Sequence, residues 1–295
     1  MSVSEPINSE NILSGLILNR PILNRTVAFV KSVIIIPARY ASTRLPGKPL
    51  QLIGGVSMLA RTVDAARRAG QATGARVLVA TDDERIGAHC LQIGVDWVMT
   101  DPDAPSGTDR CRLAADQAAP DADFIVNLQG DAPFTPPAHV MALIDHASRA
   151  DVVTPVIRLS WEALDRLRES KKTTPFSGTT CIRGPDGRAL WFSKTILPAI
   201  RKEDTLRLSG PLSPVLQHVG LYGYSRSALA RIAALAPSTY EELEGLEQLR
   251  FLENGLSVYA VEVAASELPS AGIDSPEDVV KADAALRRLG DPFGR

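Results

Sequence analysis

The sequence has few cysteines, no long apolar run and no large excess of charge of either sign. Its three cysteines, Cys90, Cys111 and Cys181, stand far apart and without the spacing of a metal site, which is typical of buried thiols in a reduced compartment. We therefore expect a cytoplasmic protein. No apolar stretch approaches the ~20 residues that cross a bilayer, so no membrane partner is expected. The formal net charge of −2 argues against a broad nucleic-acid surface, so phosphate binding must be local.

Residues 1–31 lack both a long apolar segment and a clear cleavage pattern, so a signal peptide is not indicated. We expect them to form a flexible N-terminal extension. Residues 32–295 are numerous enough to bury a substantial core, and we expect them to form a single domain.

A basic loop follows the first apolar run after this extension. Residues 33–36 are apolar and β-branched, which predicts one buried strand. We expect the strand to end at Pro37, because proline cannot donate to a sheet ladder. Arg39, Arg44 and Lys48 come next, in a segment without acidic residues and without a Walker A or dinucleotide-binding motif. Guanidinium, ammonium and backbone N–H groups all bind phosphate oxygens, so this loop is a candidate polyphosphate site. A solvated basic loop is the alternative.

Strand-like and helix-like patterns alternate through the first half of the chain. Residues 56–69 predict an amphipathic helix that ends at Gly70, and residues 76–80, 95–99 and 124–128 predict three further strands. Such alternation is typical of an α/β fold with a parallel sheet between helices. The carboxyl ends of these strands line a shared crevice, so the loops after them are the candidate site.

Two polar stretches lie where predicted strands end. Thr81 or Asp82 is expected to cap the helix after the second strand. Residues 106–108, Ser-Gly-Thr, form a donor-rich turn before another helix, for which Thr108 or Asp109 is the expected N-cap.

Two aspartates stand out as candidate metal ligands. Asp131 follows the predicted strand 124–128 and Gly130, which permits a turn or the close approach of a ligand. Its position opposite the basic loop favours a divalent cation, with a cap or turn residue as the alternative. Asp274 directly precedes Ser275 and a proline, which together suit the start of a helix but do not explain Asp274.

The last third of the chain contains one further predicted strand and one further predicted helix with polar candidates. Residues 217–224 predict a strand in which His218 and Tyr222 share one face, because strand side chains alternate. A half-buried histidine without a ligand is the alternative for His218. Residues 237–252 predict a helix whose core-facing stripe includes Leu243.

Seven motifs resemble the CMP-Kdo synthetases (3-deoxy-manno-octulosonate cytidylyltransferases), where Kdo is 3-deoxy-manno-octulosonate. They are residues 36–50 (IPARYASTRLPGKPL), 106–110 (SGTDR), 129–133 (QGDAP), 189–193 (ALWFS), 217–224 (QHVGLYGY), 246–250 (LEQLR) and 272–278 (GIDSPED). The resemblance covers roughly residues 33–288 and is weakest over residues 158–215.

This resemblance implies a Rossmann-like, predominantly parallel sheet flanked by helices. A smaller lobe for sugar binding and dimerisation would be inserted at about residues 158–225. The implied enzyme activates Kdo with CTP, releases pyrophosphate and yields a CMP-sugar for lipopolysaccharide or another surface glycan. Mg²⁺ would be its cofactor and a homodimer its assembly.

The resemblance also assigns roles to particular residues. The implied catalytic residues are Arg39, Arg44, Lys48, Asp131 and Asp274, of which the two aspartates would bind the metal. The implied nucleotide-binding residues are Ala38, Arg39, Ser42, Arg44, Lys48, Thr81, Asp82, Ser106, Gly107 and Thr108. The implied sugar-binding residues are Gln129, His218, Tyr222, Glu247 and Gln248.

The chain departs from the family pattern at Asp109 and Ala132, where the family has glutamate, and in its middle segment. Residues 171–180 replace an Asn-Pro-Asn…Val-Lys stretch, and Arg201 is a candidate for a missing arginine. Two alternatives therefore stay open: the same chemistry on another 3-deoxy-ulosonic acid, or a nucleotide- or sugar-binding relative without catalysis. Retention of both aspartates and all three cations disfavours the second alternative.

Overall fold

The computed structural model describes residues 30–42, 44–268 and 272–293. The flexible extension predicted for residues 1–31 lies, except for its last two residues, outside the described part. Within that part, no helix has the length and apolar character that a membrane crossing requires. All three cysteines are buried and unpaired, as predicted.

Twelve strands and ten α-helices occur among the described residues. The strands are β1 Ser32–Ala38, β2 Leu52–Ile53, β3 Val56–Ser57, β4 Arg76–Thr81, β5 Trp97–Met99, β6 Phe124–Asn127, β7 Val152–Ser160, β8 Thr180–Arg183, β9 Ala189–Ser193, β10 Leu212–His218, β11 Tyr222–Ser225 and β12 Val258–Glu262. The helices are α1 Met58–Thr73, α2 Glu84–Gln92, α3 Gly107–Ala118, α4 Pro137–Asp145, α5 Trp161–Ser170, α6 Glu203–Ser209, α7 Arg226–Ala233, α8 Thr239–Glu244, α9 Glu247–Glu253 and α10 Pro276–Leu289.

One large sheet lies at the centre, in the order β5-β4-β1-β6-β11-β7-β10-β8-β9, with β12 beside β7. β5, β4, β1 and β6 are parallel, β12 is parallel to β7, and the remaining pairs are antiparallel. Apolar clusters cover both faces: α1, α2 and α4 pack on one face, and α3, α7 and α9 on the other. The predicted α/β class is confirmed.

The two faces explain why β1 is apolar without alternation. Ile34 and Ile36 belong to the cluster with α1, whereas Val33 and Ile35 belong to the cluster with α3. A strand that is buried on both sides has no solvent-facing position, so its sequence is a continuous apolar run.

β1 continues past Pro37, so the expectation that the proline ends the strand is wrong. The carbonyl of Ile35 accepts the N–H of Leu128 at 3.0 Å, and Pro37, two residues later, faces the same side. β6 has ended there, at Asn127, so the proline removes no ladder hydrogen bond. On the other side, β4 pairs with β1 as far as Ala38.

Gly70 was expected to end α1, but the helix continues to Thr73 and Gly74 is its C-cap. A Cβ atom on Gly70 would lie 2.6 Å from the carbonyl oxygen of Ala75. The glycine therefore allows the chain that returns into β4 to pack closely against α1. A glycine needed for close packing and a glycine that ends a helix look the same in the local sequence.

The caps of α2 and α3 also differ from expectation. Asp83 caps α2 in place of Thr81 or Asp82, and its carboxylate accepts the N–H of Arg85 at 2.9 Å. Ser106 caps α3, in place of Thr108 or Asp109. Asp83 and Ser106 have the extended backbone that an N-cap requires, directly before the first helical residue.

The single strand predicted for residues 217–224 is two strands. His218 ends β10 and Tyr222 begins β11, and β7 lies between these strands in the sheet. Their rings are nevertheless neighbours, with centroids 5.4 Å apart.

The helix predicted for residues 237–252 is also divided. Gly245, with φ 62°, ends α8, and α9 begins at Glu247. Leu243 was expected to face the core but is 73% exposed, because the break changes the direction of the chain.

The segment 158–225 does not form a separate sheet. Its strands β8, β9 and β10 continue the central sheet beyond β7, and β11 lies within that sheet between β6 and β7. The division into one domain with an inserted lobe stays a prediction.

Candidate active site

A cleft of about 290 Å³ opens at the carboxyl ends of β1 and β6. Residues from four separate parts of the chain line it. Those predicted from the sequence are Ala38, Arg39, Ser42, Arg44, Lys48, Ser106, Gly107, Gln129, Asp131 and Asp274. The cleft therefore brings together the basic loop, the start of α3 and both aspartates.

Asp131 reaches the cleft on a turn that requires glycine at position 130. A Cβ atom on Gly130 would lie 2.7 Å from the carbonyl oxygen of Pro37, so the ends of β1 and β6 approach too closely for any other residue. The N–H of Ala132 donates to the carbonyl of Gln129 at 3.1 Å and closes the turn. The position of Asp131 is thus fixed by the sheet.

Asp274 is positioned by the start of α10. Ser275 caps this helix in a capping box with Asp278, whose carboxylate also accepts the N–H of Asp274 at 3.2 Å. The N–H of Ile273 donates to the backbone carbonyl of Asp131 at 2.9 Å. This bond joins the two aspartate-bearing loops independently of their side chains.

Lys48 lies between the two carboxylates. Its Nζ is 2.6 Å from Oδ2 of Asp131 and 2.8 Å from Oδ1 of Asp274. Arg44 approaches the same Asp274 oxygen at 3.2 Å. Partial burial raises the pKa of Asp274, but the hydrogen bond from Lys48 and the charges of Lys48 and Arg44 outweigh it, so this pKa is lower than usual.

The donor set fits a hard divalent cation that is shared with a phosphate. Two carboxylate oxygens within 2.8 Å of one cationic nitrogen can also face a metal ion, and Mg²⁺ commonly takes one or two carboxylates plus phosphate oxygens. The described residues contain no group of three or more His, Cys, Asp or Glu suited to a metal. A cation here would therefore need further oxygens from a ligand or from water.

The start of α3 forms the opposite wall of the cleft. Ser106 caps the helix, and Gly107 is its first residue, so backbone N–H groups and the positive end of the helix face the cavity. A Cβ atom on Gly107 would lie 3.3 Å from Oε1 of Gln129. The helix start is therefore in contact with the loop after β6.

Arg110 lines this wall and was missed by the sequence reasoning. Its guanidinium donates to Asp82 at 2.8 Å and to Thr100 at 2.6 Å. Thr81 is fully buried beside this pair, and neither Thr81 nor Asp82 is among the residues that line the cleft. The arginine stands in the SGTDR motif, which was the available signal.

A second polar group lies on the α3 side of the sheet. Tyr222 donates its hydroxyl to Oε1 of Gln248 at 2.9 Å, and Thr108 donates to Oε2 of Glu247 at 3.0 Å. Burial raises the pKa of Glu247, and the Thr108 hydrogen bond and the charge of Arg250 offset this only in part. Thr108 thus faces the predicted sugar-binding residues, and its contact with the nucleotide stays a prediction.

His218 is a neutral member of the same region. Its Nε2 lies 2.8 Å from the hydroxyl of Thr154, which itself donates to the carbonyl of Leu221 at 2.8 Å. The hydroxyl therefore accepts from Nε2–H, which fixes the tautomer. Burial, with a smaller contribution from the charge of Lys194, lowers the pKa of His218 to about 3.

Asn127 connects the cleft with the second polar group around Tyr222, and it was not predicted from the sequence. Nε2 of Gln129 donates to Oδ1 of Asn127 at 2.9 Å, and Asn127 stands opposite Tyr222 in the sheet. Nδ2 of Asn127 and Nε2 of Gln248 are buried donors without a hydrogen-bond partner among the described residues. Buried polar groups are normally satisfied, so unpaired donors here indicate a site that is completed by a ligand or by water.

Lys194 is the second cation that the sequence reasoning missed. It stands two residues after Phe192, whose ring centroid is 5.1 Å from that of His218. Among the described residues no carboxylate lies within ion-pair distance of its ammonium, and burial lowers its pKa although the charge of Glu244 opposes this. Arg201, the residue predicted from the middle segment, is exposed. The signal for Lys194 was its place directly after the ALWFS motif.

Comparison with known proteins gives one consistent result. The cytidylyltransferase family profile matches residues 33–261. The 3-deoxy-manno-octulosonate cytidylyltransferase of Maricaulis maris is 41% identical over 87% of this chain and 97% of its own length. That of Cytophaga hutchinsonii is 39% identical over 85% and 96%. A solved CMP:2-keto-3-deoxy-manno-octonic acid synthetase complexed with CTP is 34% identical, with a TM-score of 0.74 over 88% of this chain and 99% of that chain.

Proposed function

This chain belongs to the cytidylyltransferase family, and we propose that it couples CTP to the 3-deoxy-ulosonic acid Kdo, forming CMP-Kdo and pyrophosphate. One observation carries the proposal beyond family membership. Asp131 and Asp274 come from distant parts of the chain and meet at the ammonium of Lys48 in the cleft. Such a cluster suits the binding of a metal–triphosphate.

The reaction is a displacement at the α-phosphorus of CTP. The anomeric hydroxyl of the sugar loses its proton to solvent while its oxygen forms a bond to that phosphorus, the bond to the β-phosphate oxygen breaks, and pyrophosphate leaves. Arg39, Arg44 and Lys48 bind the triphosphate and stabilise the charge that accumulates on the leaving group. No protein nucleophile is needed, because positioning and charge neutralisation supply the catalysis.

Asp131 and Asp274 would hold Mg²⁺. When it is bound, Mg²⁺ neutralises phosphate charge and lowers the pKa of the attacking hydroxyl. The turn at Gly130 positions the carboxylate of Asp131 beside the triphosphate site, and the capping box of α10 positions that of Asp274.

Nucleotide recognition is assigned to the start of α3 and to Ala38 and Ser42 across the cleft. Ser106 and Gly107 present backbone N–H groups there. We propose that Thr81 and Asp82 act through Arg110, which they support from behind. Arg110 is then the side chain that reaches the nucleotide.

The sugar acid needs a cation, and the residues predicted to bind it do not include one. His218 is neutral because of its low pKa, and Tyr222, Glu247 and Gln248 carry no positive charge. Lys194 is the cation beside His218, and we assign it the carboxylate of the substrate. The amides of Gln129 and Gln248, together with Glu247, are suited to the sugar hydroxyls.

A second candidate substrate is a different 3-deoxy-ulosonic acid. Ala132 stands where the resemblance leads one to expect glutamate, and residues 158–215 differ most from the family pattern. Both changes leave the triphosphate cluster intact. They would change which sugar binds, while the chemistry stays the same.

One assay tests the enzyme activity, the nucleotide and the sugar acid together. It measures pyrophosphate release by the purified protein for several nucleotides and several ulosonic acids. The proposal expects release with CTP and Kdo in the presence of Mg²⁺. Release with another ulosonic acid alone would transfer the assignment to that acid. Binding of CTP without release for any acid would contradict the enzyme assignment. We further propose that the protein is a cytoplasmic homodimer whose CMP-sugar product is used in the synthesis of lipopolysaccharide or another surface glycan.

A further inference from the structure

Lys48 occupies the space between the two carboxylates that would bind the metal. The contacts of its Nζ to Asp131 and Asp274, 2.6 and 2.8 Å, are both charge-assisted hydrogen bonds. Its side chain is only 14% exposed, so solvent screens these contacts little. A metal ion that used the same two oxygens would have to displace this ammonium.

The charges of the cluster do not favour that displacement by a metal ion alone. Arg44 and Lys48 together balance Asp131 and Asp274, so the cluster is neutral as it stands. A divalent ion by itself would add two positive charges and leave the Lys48 ammonium without a partner. A triphosphate arriving with the metal supplies several negative oxygens, to which the displaced ammonium can move.

We propose that Lys48 excludes free divalent metal from the two carboxylates and yields that position only when metal and nucleotide triphosphate arrive together. The inference rests on the proposed function, because it takes Asp131 and Asp274 as the metal ligands. Lys48 then has two roles. It binds phosphate, and it admits the metal as a complex with the nucleotide triphosphate but not as a free ion.

Arg44 provides an internal comparison. It carries the same charge as Lys48 and lies 3.2 Å from Asp274, but it is 67% exposed and makes no ion pair with Asp131. Removing Arg44 measures the loss of one solvent-screened cation beside Asp274, whereas removing Lys48 also empties the position between the two carboxylates. Occupation of the shared position by the ammonium is particular to Lys48.

Binding of Mn²⁺ without nucleotide, measured from the electron paramagnetic resonance signal of the free ion, tests the proposal. Lys48→Met is expected to bind Mn²⁺ at least about tenfold more tightly than the wild type, and Arg44→Met to show a much smaller gain. Asp131→Asn added to Lys48→Met is expected to abolish the gain, which assigns the ion to this cluster. Equal affinity of the wild type and Lys48→Met, or an equal gain in Arg44→Met, would overturn the inference.

Equilibrium dialysis of the wild type gives a second measurement that does not depend on the folding of a variant. The protein is expected to retain Mn²⁺ in the presence of CTP and to retain little without it. Equal retention without CTP would refute the exclusion. That result would leave the proposed enzyme activity untouched, since the activity is judged separately by pyrophosphate release.

Discussion

At the scale of single residues, Asp131 contacts the rest of the site through both its side chain and its backbone. Asp131 contacts Lys48 through its carboxylate and the segment before Asp274 through its backbone carbonyl. A side-chain substitution at Asp131 therefore keeps the bond from Ile273 that joins the two loops. Loss of activity in such a variant can then be read as loss of charge and ligand, with the fold retained.

Lys194→Met tests the cation assigned to the sugar acid. Because hydrogen bonds to charged groups contribute about 1.5–3 kcal/mol, the KM for the ulosonic acid should rise about tenfold to a hundredfold. The KM for CTP should be unchanged. Steady-state kinetics with each substrate varied in turn measure both values. Lys202→Met, an exposed lysine nearby in the chain, serves as the control. Equal KM values for the acid in wild type and Lys194→Met would exclude the assignment.

The lowered pKa of His218 predicts a loss of stability in mild acid. The unfolded state takes up a proton below about pH 6.5, whereas the folded state stays neutral down to about pH 3. Unfolding free energy should therefore fall by about 1 kcal/mol per pH unit as the pH decreases below 6.5. Urea unfolding near pH 7 and near pH 5 measures this. In His218→Gln the decrease between the two pH values should be smaller, and an identical decrease would contradict the prediction.

Some residue roles could be predicted from the sequence and others could not. Arg44, Lys48, Asp131 and Asp274 stand in motifs next to strand or helix ends, and the structure brings them together as expected. Lys194 directly follows the ALWFS motif at the end of β9, but its importance depends on the neutral His218 of a separate strand. Contacts between separate strands depend on register, which local pattern does not determine.

At the scale of elements, α10 matters through its first turn. The Ser275 cap and Asp278 fix the residue before the helix, which is Asp274. The cap therefore has a structural role and a positioning role at once.

Ser275→Ala should lower stability by about 1 kcal/mol, because one helix N-cap is lost. It should also lower kcat for pyrophosphate release, since Asp274 loses its support. Ser160→Ala removes the cap of α5, a comparable change distant from the two aspartates in sequence, and should affect stability alone. Thermal unfolding and initial rates measure both effects. Equal kcat in the two variants would refute the positioning role of α10.

The α/β class and most of the strands could be predicted, because buried parallel strands are continuous apolar runs bounded by turn residues. The errors have physical causes that lie outside the local pattern. Pro37 is tolerated in β1 because β6 ends before reaching it. Gly70 serves a close approach to Ala75 in place of a helix stop. The separation of His218 from Tyr222 follows from the insertion of β7 between their strands.

At the scale of the whole molecule, the segment 158–225 carries leucines that the other described residues leave exposed. Leu208 is 90% exposed, Leu190 59% and Leu212 55%. We take these leucines as candidates for the contact surface of the proposed homodimer.

Leu208→Glu should weaken self-association, because a charge would enter an apolar contact. Light scattering coupled to size exclusion measures the mass over a range of concentrations. The wild type should have the mass of two chains, and the variant should dissociate at higher concentration than the wild type does. Leu243→Glu changes another exposed leucine and is the matched control. A wild type that is monomeric throughout would contradict the homodimer.

The central claim is that two distant carboxylates act as one metal–triphosphate site in a CTP-dependent transferase. The most direct measurement is the rate of pyrophosphate release from CTP and Kdo by the wild type, Asp131→Asn and Asp274→Asn, with Asp204→Asn as an exposed control. The account predicts that each of the first two substitutions lowers the rate by at least about a hundredfold while thermal unfolding stays near that of the wild type. Near wild-type rates in both variants would contradict it.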